Sequence, residues 1–353
     1  MASHADARSS PGRRIGLGVV VLGLLVVAVA VSGIEWSAVV GQLLAADPVF
    51  VAAALAASLL AQLAWAGVTA TTLRAVVPDA SRSRVRLGYL TGTFAKQVLP
   101  FGHAGGVPLL AYVLSEDLDV DYRTVFASVT ASELLIFLAS LTVAVVGALV
   151  FLLTGPVPWV AAATTLAVAA AAAALAALVG RRALRSDVFT RAALAAAAVG
   201  RLTLGRLVPG VRDSLEPAAV SRGVENFVTV FRRATADRRR LARSAALALL
   251  GWLLFAAPLF LSFRAVGGEL SLALALVLVP AGGLASLLPT PGGLGGAEVG
   301  TAGAAVLLTG ASVELAAAGV LLFRIATYWF VVAVGGAASL YLSVGAFDLR
   351  RSV

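Results

Sequence analysis

Two short stretches decide how this chain is read: Leu288-Pro289-Thr290-Pro291-Gly292-Gly293-Leu294-Gly295-Gly296-Ala297-Glu298 and Leu99-Pro100-Phe101-Gly102-His103-Ala104-Gly105-Gly106. They interrupt two apolar regions, 270–309 and 87–114, with the residues a helix tolerates least. Proline removes a backbone donor, and glycine costs about 1 kcal/mol relative to alanine. Each stretch follows a long apolar run and precedes another. The arms flanking the first break are about 9–11 residues long, too short to cross a hydrocarbon core of about 30 Å at about 1.5 Å per residue.

The setting is a membrane. Of 353 residues, 60% are hydrophobic and 13% charged. Soluble domains carry about 45–50% and about 25%. So few charges cannot cover so large an apolar fraction, and disorder requires the opposite composition. The remaining class is a polytopic helical membrane protein. The absence of cysteine excludes disulfides, thiolate metal sites and cysteine nucleophiles. Of two histidines, His4 lies in the polar N-terminal tail, so a zinc centre or histidine triad has almost nothing to build on. No metal and no cofactor are expected. The net charge of +9 comes from 26 Arg and Lys96 against 18 acids. In a membrane chain this reads as the positive-inside signal plus attraction to anionic lipid, with no nucleic-acid partner.

Six apolar runs are long enough to span: 15–33, 49–70, 124–153, 157–179, 244–264 and 316–345. Arginine counting orders them. With the tail 1–14 inside, the connection 34–48 lacks Lys and Arg and lies outside. The connection 71–86 holds Arg74, Arg82, Arg84 and Arg86 and lies inside. The Arg-rich stretch 181–243 also belongs inside. Only an even number of crossings permits that, and 124–153 with 157–179 supplies two. Region 87–114 must then enter and leave on the inner side. By the same count, 270–309 starts and ends outside, and the tail 346–353 is inside. All Arg except Arg264 and Arg324 then lie at the cytoplasmic face. Within 181–243, Val220, Val224, Phe227, Val228 and Phe231 recur at helical spacing between charged residues. They predict an amphipathic helix at the inner interface. The acidic run Glu116–Asp121 lacks the Gly and distal Glu of a calcium loop and reads as a solvated connector.

The expected fold is therefore all-α, with six full spans plus two re-entrant helical hairpins in one membrane domain, 15–345. Repeat one (49–153) and repeat two (244–345) have the same order of span, hairpin, span and opposite sidedness. That is the pattern of inverted-topology repeats, whose broken helices meet near the midplane and build the binding site. The tip residues are Pro100, Gly105 and Gly106 in the first hairpin, and Pro289, Pro291, Gly292, Gly293 and Gly295 in the second. Helix N-termini at such tips attract anions, and phosphate is the obvious anion in a membrane. A purely structural role, tight hairpin packing through glycine, stays open.

At these residues the sequence resembles the transmembrane region of lysyl-phosphatidylglycerol synthases, the flippase-like integral membrane family. The match runs from Leu288 through Glu298, then Gly310, then Leu322-Phe323-Arg324-Ile325-Ala326-Thr327-Tyr328-Trp329. That family shows P-x-P/S-G-G-x-G-x-x-E followed by L-x-R-x-x-x-Y/F-W. The first half resembles it more loosely, at Gln97, Pro100 and Glu133. Leu134 replaces the Arg of the family's Glu-Arg, and no Arg follows Gly106 until Arg123. The resemblance covers about 10–345 and no aminoacyltransferase domain, so it implies the lipid-handling membrane module without synthase activity.

Ionisable residues inside spans are costly and mark candidate sites. Glu133 and Arg324 lie at similar depths in corresponding spans, and Glu298 opens the outer arm of the second hairpin. A Glu298–Arg324 or Glu133–Arg324 pair would neutralise the burial cost, as a binding site or as a structural lock. Lys96, Gln97 and His103 flank the first tip; Lys96 is placed either to meet a phosphate or to snorkel to the interface. Gln62 and Trp65 share a face of the second span, chiefly as packing groups. The expected function is translocation of a lipid or lipid-linked head group, with its phosphate held between the tips. The alternatives are a proton-coupled small-solute transporter using Glu133 and Glu298, a membrane enzyme, and a non-transporting partner of an envelope glycosyltransferase or lipid-synthesis enzyme. No nucleophile–base pairing supports the enzyme. The expected location is the cell membrane, multi-pass, with both termini cytoplasmic.

Overall fold

The computed structural model describes residues 33–98, 102–154, 216–283 and 293–351, with four single helical positions between 163 and 174. Among them every regular element is helical: α1 (Trp36–Leu44), α2 (Pro48–Leu73), α3 (Arg82–Val98), α4 (Gly102–Leu118), α5 (Tyr122–Thr154), α6 (Pro217–Ala236), α7 (Arg238–Ala265), α8 (Leu272–Gly282), α9 (Gly296–Thr309), α10 (Val313–Arg324), a π-helical turn at Ile325–Trp329, and α11 (Phe330–Arg351). Four segments are long and apolar enough to cross a membrane: α2, α5, α7 and the run Val313–Leu342 through the π turn. They coincide with the spans expected at 49–70, 124–153, 244–264 and 316–345. The expected span 15–33 lies outside the described residues, as does 157–179 apart from the four single positions. The connection 34–48 carries the short helix α1, and α11 runs on to Arg351, so the expected tail from 346 continues a helix.

Local chemistry starts these helices. Asp47 accepts the Val49 N–H at 2.8 Å with Pro48 at the first helical position. Asp237, Ser271 and Ser312 cap α7, α8 and α10 in the same way. Asp121, in the acidic run, caps α5 by accepting the Thr124 N–H at 3.1 Å.

Both broken regions are helix–break–helix units. In the first, Gly106 faces Lys96, Leu110 faces Gly92 and Leu114 faces Gly88, so each step forward along α4 matches one back along α3. The arms are antiparallel and close. A Cβ on Gly92 would lie 2.6 Å from the Leu110 Cβ, and one on Gly106 would lie 2.8 Å from the Lys96 Cα. Two expectations need correction here. The arms have 17 residues each, because Arg82–Arg86 and Ser115–Leu118 extend the helices beyond their apolar parts. At about 25 Å they are still shorter than a bilayer core. Gly105 and Gly106 are inside α4 rather than at the tip, since the helix already begins at Gly102. In the second unit, Gly293 (φ +68°) and Gly295 (φ +90°) take the chain into α9 through conformations that only glycine adopts freely. A Cβ on Gly282 of α8 would meet the Thr301 hydroxyl of α9 at 3.3 Å. Pro100, Pro289, Pro291 and Gly292 lie outside the described residues.

The two halves are packed through small residues. Along α2 and α7, Gly67 meets Leu247 and Trp65 meets Gly251, an antiparallel crossing. Each half also lends the first arm of its broken region to the last span of the other. A Cβ on Gly147 of α5 would sit 2.6 Å from the Leu276 Cβ and 2.8 Å from the Ala273 carbonyl of α8. A Cβ on Gly335 of α11 would sit 2.6 Å from the Leu90 carbonyl and 2.8 Å from the Phe94 Cβ of α3. Small residues let helices approach where no hydrophobic drive separates protein from lipid.

The amphipathic helix expected near 220–231 is α6. Val224, Phe227, Val228 and Phe231 are buried with Ala127 and Ala131 of α5, while Arg222, Glu225, Arg232 and Arg233 are exposed. Its apolar face is thus covered by α5, not left for lipid. Because the neighbours of Gly147 and Gly335 include backbone, they cannot give way. Gly147→Ala and Gly335→Ala are each expected to cost about 1–3 kcal/mol, read as a lower melting temperature in detergent. Gly300→Ala, inside α9 where nothing lies within 4 Å, should not lower it and is expected to raise it slightly, because alanine favours the helix over glycine.

Candidate functional site

Four ionisable side chains form two pairs, one in each half. In the first, Lys96 in the last turn of α3 donates through Nζ to Oε1 of Glu133 on α5. In the second, Arg324 at the end of α10 donates through Nε to Oε1 of Glu298 at 2.7 Å. In both, a residue beside the break meets a residue within the following span. The polarity is reversed: cation on the arm and acid on the span in the first half, acid on the arm and cation on the span in the second.

Of the two partners considered for Arg324, Glu298 is the one it meets, and Lys96 takes Glu133. Lys96 is only 8% exposed, so it does not snorkel to an interface. Gly106 is what admits it, since any Cβ there would overlap the lysine stem. The anion expected at the N-terminus of α9 is supplied from within: Glu298 Oε2 accepts the Gly295 N–H at 2.7 Å. That carboxylate caps the helix and holds Arg324 at once.

Each cation lies against a tyrosine ring. Lys96 Nζ is 5.6 Å from the centroid of Tyr89, and the Arg324 guanidinium carbon is 4.9 Å from that of Tyr328. The Tyr328 hydroxyl donates to the Gln97 carbonyl at 3.3 Å, tying the span of the second half to the first tip. Tyr328 lies in the π turn. This turn follows Arg324 directly, buries Ala326, Thr327 and Tyr328, and leaves Ile325 and Trp329 exposed. Single π turns inside α-helices cluster at functional sites.

The pairs border one cavity of about 410 Å³, lined by Lys96, Gln97 and Glu133 from one half and Gly293, Ala297, Thr301 and Arg324 from the other. Glu298 stands behind Arg324. The lining also has an aromatic part: Trp65, Trp252 and Phe255, with ring centroids 5.0–5.9 Å apart. The Trp252 indole N–H donates to the Ile136 carbonyl at 2.8 Å, one turn along α5 from Glu133. Gln62 is buried and also lines the cavity. His103 is in the first turn of α4, and its side chain lies outside the described residues.

Sequence reading missed Tyr89, Trp252, Phe255 and Thr301, and met Tyr328 only as part of the family motif. Trp252 and Phe255 lie in an apolar span where nothing separates a cavity wall from core. Among the described residues no three acids or histidines cluster to hold a metal.

Breaking a largely buried pair leaves an unpaired charge. Lys96→Gln is expected to cost about 3 kcal/mol, the low end for buried pairs, because the Glu133 side chain is 21% exposed. The double variant Lys96→Gln/Glu133→Gln should recover most of that loss, as a double-mutant cycle on thermal unfolding in detergent would show.

Comparison with known proteins adds one match. Residues 15–335 match the family described as the lysylphosphatidylglycerol synthase TM region. The chain belongs to this family and is a polytopic membrane protein of a family tied to lipid metabolism. No curated protein matches it as a relative.

Proposed function

From that family membership and the cavity between the two ion pairs, we propose that this chain translocates a lipid or lipid-linked head group across the cell membrane. The head-group phosphate sits between the two hairpins, facing Arg324 and Lys96. The observation carrying this reading is convergence: Lys96 and Glu133 from one half and Arg324 from the other line a single cavity. An arginine fork suits a phosphate, because its planar donors bind oxygens bidentately. Cavities of about 300–1,000 Å³ accommodate small polar ligands.

On this reading the two broken regions are re-entrant hairpins, the first entering from the cytoplasm and the second from outside, with both termini cytoplasmic. Three features support inverted repeats: the antiparallel crossing of α2 and α7, the reciprocal packing of each first arm on the other half's last span, and the reversed polarity of the pairs. Inverted repeats suit a site that opens to either side in turn.

A second reading keeps the frame and changes the cargo. Glu133 and Glu298 would carry protons for a small solute. It is favoured by one observation, the presence of two largely buried acids, Glu133 within a candidate span and Glu298 in the short arm α9. Translocation that depends on a pH gradient would identify it.

The test is head-group accessibility of acyl-labelled phospholipids in liposomes. Wild-type protein should equilibrate the label between leaflets. Arg324→Ala should reduce the rate at least tenfold while eluting as folded protein, and Arg324→Lys should restore part of it. Retention of the full rate by Arg324→Ala would remove Arg324 from the path.

A further inference from the structure

The charges around the cavity point to the class of head group, an inference that rests on the proposed function. Among the described residues, two cations, Lys96 and Arg324, and one acid, Glu133, line the cavity, and Glu298 pairs with Arg324 without lining it. The four together are neutral. Their partners are not equally exchangeable. Glu298 is held twice, by the Gly295 N–H and by Arg324 Nε, both at 2.7 Å. Glu133 is held by Lys96, which reaches it from the opposing hairpin arm.

A phosphate drawing on both cations must take Lys96 from Glu133. A simple anion would then leave Glu133 as an uncompensated carboxylate in a largely buried site, which is unfavourable. A ligand carrying its own cation removes that penalty, since its ammonium replaces Lys96 at Glu133. The surroundings of Glu133 suit an ammonium. Trp252 is anchored to the Ile136 carbonyl one turn away, and the Trp65–Trp252–Phe255 wall presents aromatic surface to the same cavity.

We propose that the cavity binds a net-neutral zwitterionic head group, one phosphate diester and one ammonium, with the phosphate at Arg324 and Lys96 and the ammonium at Glu133. Glu133 is thereby a specificity-determining residue, distinct from the phosphate-binding cations. The same chemistry occurs in a lipid head group and in a free aminoalkyl phosphate diester, so the test has an arm for each.

In liposomes, acyl-labelled phosphatidylethanolamine and phosphatidylglycerol are compared for leaflet exchange. In detergent, binding of glycerophosphoethanolamine and of glycerophosphoglycerol, both phosphate diesters, is read from tryptophan fluorescence, since Trp65 and Trp252 line the cavity. Phosphatidylethanolamine should move at least tenfold faster than phosphatidylglycerol, and glycerophosphoethanolamine should bind at least tenfold more tightly than glycerophosphoglycerol. Glu133→Gln should bring both ratios close to one, and Glu133→Asp, which keeps the charge, should retain most of the preference. Ratios near one in the wild type, or a preference unchanged in Glu133→Gln, would overturn the proposal. Exchange of phosphatidylglycerol alone would overturn it while leaving translocation intact. Preferential binding of glycerophosphoethanolamine with neither lipid exchanged would support the zwitterion site for a free ligand and refute lipid translocation.

Discussion

An apolar chain that buries four ionisable side chains depends on how those charges are paired. Unpaired, each would cost several kcal/mol and would favour another arrangement of the helices. Here Lys96 meets Glu133 and Arg324 meets Glu298. Each pair joins a short helical arm to the long span that follows, so the positions of the arms and the satisfaction of the charges depend on one another. The second pair goes further, because Glu298 also caps α9.

Glycine sets the distances that make this pairing work. Gly106 lets α4 close on α3 at Lys96, and Gly251 leaves room for the Trp65 indole on α7. Gly147 and Gly335 let each half receive the other's first arm at backbone contact. A lipid-facing interface gains little from bulk hydrophobicity, so close approach and interhelical hydrogen bonds carry the association. The Thr69–Ser132 hydroxyl contact at 3.0 Å between α2 and α5 belongs to the same pattern.

Much of this was legible in the sequence because apolar length, Pro-Gly breaks and ionisable residues within spans are one-dimensional signals. The four long spans, the two breaks and the need of Arg324 for an acidic partner follow from them; the packing of the helices selects Glu298 over Glu133. Other features depend on three-dimensional register. Gly105 and Gly106 read as tip residues, yet the helix begins at Gly102, and Gly106 is a packing contact instead. Lys96 sits near a polar-looking break, but only the approach of α5 shows that Glu133 is its partner. The π turn after Arg324 inserts one residue into a helix whose pattern stays apolar throughout, so periodicity does not register it. The aromatic wall was invisible for a related reason, since Trp252 and Phe255 resemble any residues of a buried span.

The central claim is that two hairpins enter from opposite faces and bring their pairs to one cavity. The native chain lacks cysteine, so single cysteines report directly on sidedness. Ala104→Cys and Leu294→Cys are placed one beside each break and treated with an impermeant thiol reagent in sealed vesicles of known orientation. The account predicts labelling of the two positions from opposite sides. Labelling of both from the same side would contradict it.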